Sequence, residues 1–571
     1  MGILERPLSA NEHIKSNSNF LRGTIAEGLT RVETGSLADD DTQLTKFHGI
    51  YLQDDRDLRA ERGKQRMEKA FIFMARMRVP GGILTPAQWL ASEKVALERG
   101  NGTLRLTTRQ TIQFHGIIKS NLRPAIQELN TELLDTIAAC GDVNRNVVAS
   151  VDPWRGKLHE TVTDTARAIA THLLPRSRAW HEIWIGEERV AGGVEEDEPI
   201  YGRTYMPRKF KIAVALPPHN DVDALAQDLS FIAIVENNQI VGYNVAAGGG
   251  MGMTHGEPDT YPRPGDIIGF CPPDQVTDVA EKVVTVQRDF GDRSDRKHAR
   301  LKYTMDRVGI DIFVAEVNAR LATPLQPARA FAFTTTGDRL GWAESADGTS
   351  HFTLYVENGR VTDLPGRKLR TGLHKVAELD AGRFIITANQ NLVLADIPAS
   401  KRDAVAVLVS EYGLDLKANG LRRNAIACVA LPTCGLALAE SERYLPHLVT
   451  RLEETLERVG LRDEEITIRM TGCPNGCARP YMSEIGLVGR TPGLYNLYLG
   501  ASHEGLRMNK LYKRDVDDDG IVAALSPLFE AYARDRQIDE RFGDFVVRTG
   551  VVARTRTGLD FHENLAPELR S

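Results

Sequence analysis

GTLRLTTRQTIQFHGI at residues 102–117 and GRFIITANQNLVLADI at residues 382–397 align without a gap, and the fold class follows from that pairing. Gly102, Thr107 and Gln110 fall on Gly382, Thr387 and Gln390. Each stretch reads as strand, short turn, strand, because polar and apolar residues alternate on either side of a turn-forming cluster. A helix is predicted behind each. The first covers residues 123–139, with Ile126, Leu129, Leu133 and Ile137 on one stripe; the second follows the cap-like Ser400 and stops at Gly413. A fainter echo joins YNVAAGGG (243–250) to YNLYLGAS (495–502). Two copies of an α/β unit, each with a longer mixed segment behind it, is the economical reading.

The copies differ in what they present. Strand alternation sets Arg105 and Thr107 on one face, joined after the turn by Gln113 and His115. The matching positions are Ile385, Thr387, Val393 and Ala395, a mostly apolar set. The cationic face of the first copy lies in water or holds an anion. RKFKIAVAL (208–216) places Lys209 and Lys211 on one side, with Phe210, Ile212 and Val214 on the other. FIFMARMRVPGG (71–82) repeats the pattern with Arg76 and Arg78, and VNRNV (143–147) adds Arg145. Same-face neighbours on a strand are roughly 7 Å apart, so each cation pair needs solvent or an anion between its members. One such pair is an ordinary solvated edge. Several, in a chain of formal charge −6, favour an anion site. The basic run RDFGDRSDRKHARLK (288–302) is interspersed with Asp and carries less weight.

A length of 571 residues predicts two to four domains, and 42% hydrophobic with 26% charged residues is ordinary for a soluble protein. Nucleic acid is excluded as the main partner, since neither a basic domain nor interleaved aromatics are present. No run of eighteen apolar residues offers a membrane span, and MGILERPLSANEHIKSNSN lacks a signal-peptide core. Six cysteines are too few for a disulfide scaffold, so the expected compartment is the reducing cytoplasm.

Four of those cysteines gather within fifty residues: Cys428 and Cys434 as C-x5-C, then Cys473 and Cys477 as C-x3-C in TGCPNGCARP. Pro474, Asn475 and Gly476 suit a loop curling around a ligand. A [4Fe–4S] cluster needs four thiolates. Zinc is the rival, although its structural sites use shorter C-x2-4-C knuckles, which C-x5-C fits poorly. Cys140 and Cys271 stand alone and read as core packing.

With these residues in place, the chain resembles the sulfite and nitrite reductase family, in its NADPH-linked assimilatory sulfite reductase branch. The segments that carry the resemblance are SNFLRGTIAEGL (18–29), FHGIYLQDDRDLRAER (47–62), LTTRQTIQFHG (106–116), PRKFK (207–211), TGCPNGCARP (471–480) and FGDFVVRTGVV (542–552). The resemblance implies an internally duplicated α+β fold. Residues 1–60 would be an arm, 61–138 and 336–413 ferredoxin-like half-domains, 139–335 a siroheme-binding domain, and 414–571 a siroheme and cluster domain.

It also implies two cofactors, siroheme and a [4Fe–4S] cluster. Cys428, Cys434, Cys473 and Cys477 would hold the cluster, and Cys477 would also be axial to the siroheme iron. Arg76, Arg145, Lys209 and Lys211 match the substrate-anion ligands. Arg105, Thr107, Arg109, Gln113, His115, Arg208, Arg300 and Asn475 would surround the cofactors, with Arg300 standing where the nearest relatives carry lysine. The implied reaction is six-electron reduction of sulfite to sulfide in cysteine biosynthesis. Nitrite as substrate, or ferredoxin as donor, are the alternatives. No nicotinamide or flavin fingerprint is found, so a separate flavoprotein (alpha) subunit is expected to bring electrons from NADPH.

Overall fold

The computed structural model describes residues 6–176, 182–185, 188–192, 198–563 and 565. Two five-stranded antiparallel sheets form the ferredoxin-like units. The first runs β1 (Ile50–Asp54), β2 (Phe71–Arg76), β5 (Ile112–Ile117), β4 (Leu104–Leu106) and β15 (Arg360–Val361). The second runs β13 (Gly341–Glu344), β14 (Ser350–Leu354), β19 (Leu392–Ile397), β18 (Arg383–Ile386) and β3 (Ile83–Leu84). Each sheet therefore takes its last strand from the other half of the chain. β1 lies ahead of the expected boundary at 60/61 and pairs with β2, so this unit takes in part of the segment assigned to the arm.

The two mixed sheets also match. β6 (Val148–Ala149), β9 (Ile212–Ala215) and β10 (Leu229–Glu236) are parallel, followed by antiparallel β11 (Gln239–Ala247) and β12 (Asp266–Cys271). β20 (Ala425–Ala427), β21 (Ile468–Thr471) and β22 (Ile485–Thr491) are parallel, followed by antiparallel β23 (Leu494–Leu499) and β24 (Lys510–Val516). The faint echo of YNVAAGGG and YNLYLGAS thus falls on equivalent strands, β11 and β23. β7 (Glu182–Ile185) pairs with β8 (Glu188–Gly192), and β16 (Asp363–Leu364) with β17 (Arg367–Lys368), as separate ribbons.

The three identities between the copies have physical causes. Gly102 and Gly382 both have positive φ (82° and 97°), as do Gln110 (52°) and Gln390 (70°). Thr107 and Thr387 each accept, at 3.2 Å, the backbone N–H two residues on, which closes the turn. Gln110 Nε2 donates to Ala149 O at 2.8 Å and Gln390 Nε2 to Ala427 O at 3.0 Å, the last residues of the equivalent strands β6 and β20. The repeated glutamine pins each turn to a mixed sheet.

Both half-domains contribute to a single apolar core, in which Trp89 stacks on Phe384 with centroids 4.7 Å apart. The predicted helix over 123–139 is shorter, Leu122–Asn130. Leu133 takes φ +57° and Leu134 N–H reaches back to Leu129 O at 3.1 Å, a left-handed stop that turns Leu133 outward and buries Leu134. Its twin, Arg402–Glu411, stops the same way at Gly413, with Leu414 N–H on Val409 O at 2.8 Å. Ser400 lies in the preceding 3-10 turn and does not cap that helix.

The strand exchange rests on two glycines. Gly82 precedes β3 with φ +76° and Gly359 precedes β15 with φ +74°; a Cβ on either would press on the carbonyl oxygen of Ile386 or Leu106, well inside van der Waals contact. Gly82→Ala and Gly359→Ala are each expected to destabilise by about 1–3 kcal/mol, read as a lowered thermal midpoint. Only Gly359→Ala disturbs the β15–β4 pairing beside Arg105, so cofactor content should fall further in that variant.

Candidate active site

A row of polar side chains crosses the first sheet because the strand register puts them there. Arg76 lies opposite Gln113, Gln113 opposite Arg105, and Arg105 opposite Arg360. Gln113 takes Arg76 Nε at 3.1 Å on its amide oxygen, which leaves the amide nitrogen 3.3 Å from His115 Nε2. Burial, then the Arg360 and Arg105 charges, holds His115 well below its ordinary pKa, so it is a neutral acceptor. Glu442 pairs with Arg105 Nε at 3.1 Å and Arg360 Nε at 2.7 Å.

A second set of cations comes from the first mixed domain. Ahead of β6 and β9 the chains are still paired: Asn144 bridges Phe210, and Arg145 N–H donates to Phe210 O at 2.9 Å. That register brings Arg145 beside Lys209 and Lys211, while Phe210, Ile212 and Val214 enter the core. Arg145 Nη2 also donates to the Tyr51 hydroxyl at 3.4 Å.

These residues line one cavity. Arg76, Arg105, Thr107, Arg109, Gln113 and His115 form one wall, and Arg145, Lys209 and Lys211 another. Cys428, Cys434, Cys473, Cys477 and Asn475 close it from the second mixed domain. Burial drives Lys209 and Lys211 well below the ordinary lysine value, reinforced by Arg208 for the first and Arg300 for the second. Burial also lowers Arg109 to about 9, with Arg479 the next cause, and Arg105 to about 10 against the pull of Glu442. Arg105 Nη1, Arg109 Nε and His115 Nδ1 have no hydrogen-bond partner despite being buried. Six cations on one cavity, with donors unspent, form a receptor for a multivalent anion.

The cysteines reach the cavity from adjacent parallel strands. Cys428 follows β20 and Cys473 follows β21, so both loops leave the same sheet end. Gly472 N–H lies 3.4 Å from Cys428 Sγ, and Gly472 O accepts from Leu438 and Ala439 at 2.7 and 3.1 Å. Burial raises Cys428 and Cys434, and brings Cys473 to about 12; for each, Cys477 is the next cause. Thiols raised in this way, as Cys428, Cys434 and Cys473 are, ionise more readily when a metal binds them. Among the described residues no three His, Cys, Asp or Glu side chains gather closely enough to hold a single metal ion. Four thiols spread around a cavity suit a cluster that gives each its own iron, and not one zinc.

Some expected residues lie elsewhere. Arg208 and Arg300 do not line the cavity. Arg300 forms a bidentate pair with buried Asp228 (3.0 and 2.8 Å), whose Oδ2 also accepts Lys211 N–H at 3.0 Å. Arg208 points towards Asp142, 4.0 Å away. Arg78 lies beyond the end of β2, bridges Asp135 through its backbone and pairs with it at 3.3 Å. The run 288–302 is largely paired: Arg293 with Glu12, Arg296 with Asp142 and Arg300 with Asp228. Cys140 and Cys271 are buried, and Cys140 Sγ accepts from Arg76 Nη1 at 3.2 Å. Sequence reasoning missed Tyr51, Gln53, Thr108 and Gln390. Tyr51 and Gln53 alternate along β1, a period-2 signal hidden by the strand's shortness.

Family models match at two places: the nitrite and sulphite reductase 4Fe-4S domain over residues 164–325, and the nitrite/sulfite reductase ferredoxin-like half domain over 64–131. The sulfite reductase (NADPH) hemoprotein beta-component of Methylobacterium nodulans is 57% identical over 97% of this chain and 93% of its own. That of Myxococcus xanthus is 57% identical over 96% and 97%. The chain belongs to the nitrite and sulfite reductase family. Among solved structures, the Mycobacterium tuberculosis NirA protein superposes with a TM-score of 0.76 at 26% identity, over 95% of this chain and 97% of that one. The reductase 4Fe-4S model falls on the first copy, which carries the cations; the cysteines sit in the second. Duplication accounts for that.

The family's duplicated frame leaves a second, equivalent position, and here it is filled. Where the first copy has the cationic face, Ile385, Val393 and Ala395 pack with Val151. Asp338 accepts from Thr387, Asn389 and Asn391 at 2.6–3.0 Å. His219 bonds Asp152 at 3.2 Å and Gly337 O at 2.6 Å. Burial alone would lower the His219 pKa, but the Asp221, Asp152 and Asp338 carboxylates outweigh it and raise it from 6.5 to about 10. A raised pKa means the stabilisation is full below 6.5 and is lost as pH climbs through about 10. His219→Gln is expected to lower the thermal midpoint at pH 6 and to remove part of its decline between pH 6.5 and 10.

Proposed function

We propose that this chain is the siroheme- and [4Fe–4S]-bearing component of an assimilatory sulfite reductase, taking sulfite to sulfide with six electrons. The observation that carries the proposal is one cavity walled by six cations and four cysteine thiols. Siroheme, with its carboxylates, answers the unspent donors of Arg105, Arg109 and His115. Cys428, Cys434, Cys473 and Cys477 would hold the cluster, and Cys477 would also serve the siroheme. When bound, these cofactors would supply the redox chemistry, passing on electrons from the donor.

The chain's own residues bind and protonate. Arg76 and Arg145 offer planar forks suited to an oxyanion, and Gln113 and Tyr51 hold those forks in place. Lys209 and Lys211, pushed down by burial and then by Arg208 and Arg300 respectively, release protons readily. Each S–O bond that breaks sends its oxygen out as water, so proton delivery must keep pace with electrons. The relatives are beta-components. A partner subunit is therefore part of the reading, more finely a flavoprotein alpha subunit drawing on NADPH in the cytoplasm. No described helix is long and apolar enough to cross a membrane.

The purified chain is expected to contain siroheme and a cluster by absorption and metal analysis. It should reduce sulfite from reduced viologen but not from NADPH, and faster than it reduces nitrite. A colourless protein, or one turning over NADPH unaided, would overturn the proposal. Lys209→Met and Lys211→Met should lower kcat by about 10²–10⁴, the range of a lost general acid. Arg145→Lys keeps charge without the fork and should chiefly raise the sulfite KM. Cys477→Ser should abolish turnover and change the visible spectrum, whereas Cys140→Ser should leave the spectrum as it is.

A further inference from the structure

Lys302 is fully buried and lies outside the cavity, yet its ammonium makes one of the most demanding sets of contacts in the chain. Nζ donates to Gly252 O at 2.7 Å, to Gly250 O at 3.2 Å and to Tyr261 O. It also sits 4.7 Å from the ring centroid of Tyr303 and 5.8 Å from that of Tyr261. An ammonium has three protons, and here three carbonyls take them. Burial and then the Arg300 charge push this amine well below the ordinary lysine value, while Asp228 and Asp306 pull it back up and the aromatic faces offset part of the cost of burying the charge.

Two of the carbonyls, Gly250 O and Gly252 O, belong to a glycine-rich wall, Gly248-Gly249-Gly250-Met251-Gly252-Met253, that returns against Arg263 through paired backbone bonds of 2.8 and 3.0 Å. The far side of this wall meets the loop that carries the last two cysteines. Met253 N–H donates to Pro474 O at 2.8 Å. A Cβ on Gly252 would come within 3.1 Å of Asn475 O, and one on Gly476 within 2.7 Å of Met251 O. Met251 itself is packed with Tyr481 and Met482 just beyond the loop. Two backbones touch with no side chain between them, so a shift of the wall is a shift of Asn475 and, two residues on, of Cys477.

We infer that Lys302 is a positioning residue for the cluster loop: by fixing Gly250 and Gly252 from behind, it sets the wall against which Pro474–Gly476 is seated, and with it the Cys477 sulfur. The inference rests on the cofactor assignment proposed above. It explains why an amine is buried here at all, since a residue needed for stability alone is better served by an apolar side chain of similar volume.

The test compares wild-type, Lys302→Met and Gly252→Ala holoproteins. Lys302→Met keeps the stem and removes the three donors; Gly252→Ala leaves Lys302 intact and pushes on Asn475 from the wall. Both are expected to retain iron and siroheme, to shift the visible bands and the midpoint potentials in the same direction, and to lower kcat with a viologen donor by about 10-fold or more, the usual scale for support of a metal ligand. The sulfite KM should stay within about two-fold, because Arg76, Arg145, Lys209 and Lys211 are untouched. Lys302→Gln, with two donors, should recover part of the loss. If Lys302→Met does not accumulate as folded protein, Lys302→Gln decides, read beside Gly252→Ala. Loaded variants with wild-type bands, potentials and kcat would sink the inference while leaving the cofactor assignment standing. A wild-type chain that takes up neither iron nor siroheme would instead sink the assignment.

Discussion

Arg479 holds the molecule together at its centre. It stands two residues past Cys477 in a left-handed conformation, φ +56°, and its guanidinium is buried. Nη1 donates to Thr108 O at 3.3 Å and Nη2 to Ala388 O at 2.9 Å. Those carbonyls are equivalent positions in the two half-domain turns, so one side chain sits where the two copies meet. Nε faces Asp223 of the first mixed domain at 2.5 Å, and Asp223 also binds Arg469 of the second. Four structural units thus converge on one carboxylate and two guanidiniums. A buried charge with no partner costs several kcal/mol, so the units cannot separate without exposing or stranding it. Thr108 adds a tie of its own, donating to Cys477 O at 3.2 Å. The fixed geometry of the cysteine loop is inherited from this junction.

The same duplicated frame yields opposite outcomes at its two equivalent positions, and charge decides which. Where Arg105, Gln113 and His115 face the interior, side chains cannot satisfy one another, and a cavity with unspent donors results. Where Ile385, Val393 and Ala395 take their places, the space closes on Val151, and the remaining polar groups pair internally through Asp338. A receptor for an anion is thus a part of the core that was left electrostatically incomplete. Its stability before cofactor entry is correspondingly lower, since like charges crowd one another, and binding the anion and folding the site are linked.

Much of this was legible in the sequence because it depends on local pattern. Period-2 alternation placed Arg105 with Gln113 and His115, and Lys209 opposite Phe210; both hold in the structure. Cysteine spacing grouped Cys428, Cys434, Cys473 and Cys477, and all four line the one cavity, whereas Cys140 and Cys271 do not. What was not legible depends on long-range pairing. The exchange of β3 and β15 involves two residues from each half, too short for any periodic signal. Arg78 sits in register with Arg76 in the sequence, yet β2 ends at Arg76 and Arg78 instead bridges and pairs with Asp135. Arg300 carries the right charge, but the right partner, Asp228, lies seventy-two residues away. The helix end at Asn130 was hidden because leucine, not glycine, takes the left-handed position at 133.

The arrangement of the cations also constrains how charge moves during turnover. Arginine stays protonated even where burial lowers its pKa to 9 or 10, as for Arg109 and Arg105, so those groups hold charge in place. Lysine under the same burial gives its proton up far more readily, as the marked depression of Lys209 and Lys211 indicates. An arriving anion reverses that tendency, because negative charge nearby favours the protonated amine. On the proposed function, binding sulfite would load the lysines with protons at the moment that S–O cleavage needs them. Arginine in their place would bind as tightly and deliver nothing.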